Sequence, residues 1–248
     1  MIEIDLSILM PAFIAGILVL LTHVPLGMKV LARGIIFADL AVAQIAGLGV
    51  VIAGLAGYSE QPILVQLIAV ASALMGAVLL TWIERALPEV REAGIGLLFI
   101  LAASGGILLM SHDTHAGEHL KDLLVGQILW VSSGQIIATA VLSAAIMGIW
   151  ILFRQKLGTF GFYALFAIAV TASVQLVGVY LVFASLIVPA LATHKLHSKR
   201  MLIAYAIGVI GYAAGLLLSV WLDLPTGAAI VWAIALTGAA LMLIKRKV

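Results

Sequence analysis

Asp39 is the only acidic residue set deep within an apolar stretch of this 248-residue chain. A charged side chain at bilayer depth costs at least about 2.5 kcal/mol unless it faces a polar cavity or a partner, so a pathway or a site is the default inference. The other reading puts Asp39 near the cytoplasmic end of a second span, where it pairs with Arg33 or reaches the interface. Gln44 follows on the same segment, about 140° around the axis of an ideal helix. The two would not share one face of a straight helix, so a site using both needs a kink or help from other helices.

A second concentration of chemistry is the stretch 112–119, which holds His112, Asp113, His115, Glu118 and His119. Neutral imidazole and carboxylate suit zinc, manganese and similar divalent ions. In a helical segment His115 and His119 would stand one turn apart on one face. Short histidine-rich tracts are compositional signals, and a solvated loop is the alternative. The candidate metal ligands are therefore Asp39, Gln44, His112, His115 and His119. His23, His194 and His197 fall at predicted span ends and read as interface residues. Glu84, Glu89 and Glu92 alternate with Arg85 and Arg91 around Pro88. That pattern reads as a solvated loop, with a docking surface for a cytoplasmic partner as the other reading.

The elements that must carry these residues follow from composition. Hydrophobic residues make up 65%, charged residues 10%, and the mean hydropathy is +1.27. A soluble domain needs about a quarter of its residues charged. The apolar runs are long enough to cross a core of about 30 Å as helices. They lack the short alternating segments of a membrane barrel. The fold class is all-α, a polytopic transmembrane helical bundle forming one domain over 1–248. Nine spans are predicted: 6–27, 35–57, 62–83, 94–111, 132–153, 160–174, 177–193, 202–221 and 226–244. The stretch 121–131 could add a short or re-entrant helix, and 160–193 has a brief break around Gln175. The run from Leu6 carries no preceding basic residue and reads as the first span, not as a cleavable signal.

Charge sets the expected orientation. With nine spans and the N-terminus outside, twelve of the thirteen basic residues face the cytoplasm and only Lys121 lies outside. The positive-inside rule predicts this asymmetry. It places the C-terminus in the cytoplasm and the chain in a bacterial inner membrane. The small-residue runs 102–106 and 208–215 predict close helix contacts. There is no cysteine, which excludes disulfides and thiolate metal sites. The motifs for a membrane zinc protease, a serine hydrolase and a nucleotide-binding loop are also missing, so ATP would have to be bound by another chain.

Several segments in order resemble the permease subunits of zinc/manganese-type ABC importers. The stretch 30–49 (VLARGIIFADLAVAQIAGLG) is similar to that family's second helix, which carries an Arg, a Phe four residues later, an Asp-Ala-x-Ser-His-Ala run and a Gly. The blocks 94–99 (GIGLLF) and 103–106 (ASGG) resemble the next signature, and 122–131 (DLLVGQILWV) the one after it. The stretch 176–190 (LVGVYLVFASLIVPA) is similar to the family's most recognisable helix, and 215–219 with 223–227 (DLPTG) to its last signature. Aligned on Phe37 and Gly49, Leu40 stands at the family's metal-ligating Asp and Gln44 at its His, while Asp39 comes one place early. The segment 154–160 is shorter than the family's acidic coupling segment.

The resemblance implies the transmembrane subunit of an ATP-driven importer for a divalent transition-metal ion, zinc or manganese, carried as substrate with no permanently bound cofactor. It also implies a homodimer, a cytoplasmic ATP-binding subunit and a periplasmic metal-binding protein. Arg154, Lys156, Leu157 and Gly158 would then perform the ATPase coupling. A stand-alone secondary transporter of metal ions or small solutes is the alternative, and a membrane enzyme or an assembly factor ranks behind both.

Overall fold

In a computed structural model, residues 6–111 and 124–246 are described. The described residues form helices α1 (Leu6–Arg33), α2 (Ala38–Leu55), α3 (Pro62–Ala86), α4 (Arg91–Leu109), α5 (Ser133–Phe153), α6 (Thr159–Val177), α7 (Val179–Ala192), α8 (Arg200–Leu222) and α9 (Thr226–Arg246). A single 3-10 turn, Ile128–Trp130, precedes α5. Every predicted span has a helix. Eight of these are long and apolar enough to cross a membrane. The exception is α7, whose 14 residues extend only about 21 Å, less than a hydrocarbon core.

The chain divides into two compact units. Unit 1 is drawn from Met1–Arg33, Leu124–Gly148 and Ser173–Val248, and unit 2 from Gly34–Leu123 and Ile149–Ala172. In unit 2, α2 packs on both α3 and α4. Small residues let the backbones approach: Gly49 faces Ser72 and Ile68 of α3, and Gly76 faces Ile45. With little hydrophobic gain between helices in lipid, such packing supplies the association. At the other end of unit 2, Phe162 of α6 stacks on Phe166 and meets Trp150 of α5 at 6.1 Å.

In unit 1, α1, α7, α8 and α9 pack against one another, and the 3-10 turn lies on α1 and α9. The 208–215 run does what its small residues predict: Gly208 faces Leu20, Gly211 faces Ile234 and Gly215 faces Ile230. The 102–106 run is looser: a Cβ on Gly105 would stand 3.9 Å from Leu48 of α2, whereas one on Gly106 would have nothing within 4 Å. Gly178 breaks the apolar stretch 160–193 into α6 and α7 with φ +82°, a conformation that L side chains avoid. Its backbone abuts that of Val125–Gly126, where Gly126 has φ +71°.

Two expectations need correction. The predicted first span ends at 27, but α1 continues to Arg33. Pro25 has no N–H, so it cannot satisfy the Leu21 carbonyl one turn earlier. The Tyr205 hydroxyl of α8 donates to that carbonyl at 3.0 Å, which lets the helix run on. His23 consequently lies within α1 and is 0% exposed, not at an interface. His194 does stand at the exposed end of α7 and bonds the Leu191 carbonyl at 2.7 Å.

Candidate functional site

Gly34, with φ +64°, turns the chain at the start of unit 2 and launches α2. Asp39 sits in the first turn of α2 and is 1% exposed. The amides of Asp39 and Leu40 face its carboxylate without the alignment of a full hydrogen bond. Among the described residues neither Oδ1 nor Oδ2 has a hydrogen-bond partner. Both oxygens are therefore shielded from water and retain free lone pairs, an arrangement that native structures rarely leave unexplained.

The first turn of α4 reaches the same place. Phe37 N–H donates to Glu92 Oε1 at 3.0 Å. Glu92 thus serves α2 as the N3 carboxylate of a capping box would, but from another helix. Its carboxylate lies beside the first turn of α2, which carries Asp39, and Oε2 is buried with no partner among the described residues. Beside it, the Arg91 guanidinium lies over Gly34, where an added Cβ would stand 3.4 Å from Nη2. Glu92 is thus not part of a solvated loop, as its alternation with Arg91 suggested. The available signal was an acidic residue opening an apolar run, a mark of a helix's first turn.

Gln44 is buried on the same helix, 8% exposed, but its place in the helix repeat turns it away from Asp39. His112, His115 and His119 lie outside the described residues. Among the described residues no three His, Asp or Glu side chains come together to hold a metal ion. What unit 2 offers is a two-carboxylate locus, Asp39 with Glu92. Oxygen donors of this kind suit passing contact with a hard or borderline divalent cation that keeps part of its water.

Arg154, Lys156, Leu157 and Gly158 form the tight turn between α5 and α6. Lys156 and Leu157 both donate to the Phe153 carbonyl, at 2.7 and 2.8 Å. Arg154, Lys156 and Gly158 are exposed, while Leu157 folds back onto Gly161. The turn is thus a compact, basic projection.

The chain is 30% identical over 252 residues to a probable metal transport system membrane protein of Thermotoga maritima, with 92% of this chain and 86% of that protein covered. It is 28% identical over 247 residues to the manganese transport system membrane protein MntC of Halalkalibacterium halodurans, covering 91% and 83%. A 162-residue stretch is 28% identical to a probable iron transport system membrane protein of Haemophilus influenzae; it spans 56% of this chain and 59% of that relative's length. The fold is similar to that of PsaBC from Streptococcus pneumoniae in complex with Fab, with a TM-score of 0.74, 22% identity, and 97% of this chain and 91% of that chain covered. The ABC 3 transport family model matches residues 5–162 and 156–245. This multi-pass, all-helical membrane protein belongs to the ABC 3 transport family.

Proposed function

We propose that the chain is the transmembrane subunit of an ATP-driven importer for a divalent transition-metal ion, zinc or manganese. The observation that carries this reading is the family match over nearly the whole chain, coupled to one enclosed carboxylate with unused lone pairs. The relatives named for manganese, iron and metal transport support the substrate class. Oxygen ligands from Asp39, with Gln44 further along α2, agree with it.

The remaining parts complete a working cycle. The chain lies in a bacterial inner membrane with its N-terminus outside, the orientation that the positive-inside rule favours when all nine segments cross, and pairs with a second copy. A periplasmic binding protein delivers metal at the outer face, where His112, His115 and His119 would contact it. A cytoplasmic ATP-binding subunit docks on the turn at Arg154–Gly158. ATP-driven closure of that subunit shifts the permease between its inward- and outward-open states. The metal is cargo and leaves no resident cofactor.

The test is uptake of radioactive zinc or manganese by cells carrying Asp39→Ala. The variant should reach the membrane in normal amount and lose metal uptake. Uptake equal to wild type would remove Asp39 from the path.

A further inference from the structure

His23 stands in a stripe of α1 formed by Gly16, Leu20, His23 and Gly27, at intervals of four, three and four residues. Such intervals place side chains on one helix face. The neighbours of that stripe are known: Gly16 faces the Tyr212 ring, Leu20 faces Gly208, and Gly27 faces the Leu186 backbone. His23 therefore points into the seam where α1 meets α7 and α8, entirely within unit 1. A second polar pair occupies the same three-helix packing, since Ser185 Oγ and Tyr212 Oη are 3.0 Å apart and buried.

The ring is fixed in one tautomer. His23 Nδ1 lies 2.9 Å from the Val19 carbonyl, and a carbonyl only accepts, so Nδ1 carries the hydrogen. Thr22 Oγ1 adds a contact at 3.0 Å to the same nitrogen while donating to Val19 O itself. Nε2 is then an unprotonated lone-pair nitrogen. It is buried and has no hydrogen-bond partner among the described residues. An imidazole that donates one ring N–H to a backbone carbonyl and presents the other nitrogen unengaged has the arrangement typical of a metal ligand held by its second shell. A merely structural histidine would bond through both nitrogens, because leaving a buried acceptor unmade costs about 1–3 kcal/mol.

We infer that His23 Nε2, in the α1–α7–α8 seam, is a coordination point for a divalent transition-metal ion, one separate from the carboxylates of α2 and α4. One imidazole alone makes a weak site. Weakness suits a stop on a route, where an ion must leave as readily as it enters. The inference rests on the transport reading for the source of its ion.

The chain carries six histidines. Replacing His112, His115, His119, His194 and His197 by Gln leaves His23 as the sole imidazole. This full-length protein, purified through a histidine-free tag into lipid nanodiscs, is titrated with Cu2+ alone and examined by electron spin-echo modulation. One bound ion per chain, with the modulation of a single remote ring nitrogen, is expected. His23→Gln should abolish the modulation and weaken binding roughly tenfold or more. A monodisperse protein that binds Cu2+ without that modulation overturns the site, as does equal binding by His23→Gln. If the five-fold replacement fails to fold, wild type and His23→Gln are compared directly; loss of one bound equivalent supports the site and no loss overturns it. Binding is read without transport. Metal uptake with no imidazole signal would therefore remove the site and leave the importer, and an imidazole signal in a chain that imports no metal would do the reverse.

Discussion

Glu92 accepts the backbone N–H of Phe37 at 3.0 Å across a sequence separation of 55 residues. The bond ties the start of α4 to the start of α2 and brings a second carboxylate to the enclosed Asp39. One contact thereby links the stability of α2 to the chemistry at its N-terminus.

Substituting Glu92 should separate these two roles. Glu92→Gln keeps an acceptor for Phe37 N–H and removes the charge, so stability should hold while metal uptake falls. Glu92→Ala removes both, and the loss of a cap costs about 1 kcal/mol. Thermal unfolding in detergent alongside radioactive metal uptake checks the pair. Equal uptake by Glu92→Gln and wild type would reduce Glu92 to a cap.

Gly126 and Gly178 meet backbone to backbone, each in the left-handed region. A Cβ on either would collide with main-chain atoms of the other segment, which no rotamer change relieves. Gly178→Ala should therefore destabilise by more than the roughly 1 kcal/mol expected for glycine propensity alone. In membrane extracts this would appear as reduced accumulation and a lower melting temperature. Wild-type accumulation and melting in Gly178→Ala would mean that the break between α6 and α7 does not need this close crossing.

The stretch 112–119 lies outside the described residues, so its role rests on chemistry alone. Replacing His112, His115 and His119 together should raise the external metal concentration needed for half-maximal uptake, with the maximal rate retained. An unchanged half-saturation point would make the stretch a plain solvated turn.

How much of the protein was legible in advance differs from residue to residue. Asp39 stood out because charge within an apolar run is a local signal that lipid makes expensive. The approach of Glu92 to the same turn did not, because Glu92 lies beside an arginine and after a proline, a context that reads as solvent-exposed loop. His23 was misjudged for a related reason. The predicted span stops four residues past it, whereas α1 runs on through Pro25 to Arg33, with the Leu21 carbonyl taken up by a hydroxyl 184 residues away along the chain.

The sequence by itself determined the helical, membrane-crossing architecture and the approximate limits of the nine helices among the described residues. Hydropathy and chain-breaking residues act over one segment at a time, and lipid admits few other ways to satisfy a backbone. Tertiary structure alone decided which polar atoms meet and which stay unpartnered: Glu92 on Phe37, Tyr205 on Leu21, and His23 Nε2 left open within the seam. Those outcomes depend on contacts between distant segments, set by glycine-permitted helix approach, and no local period encodes them.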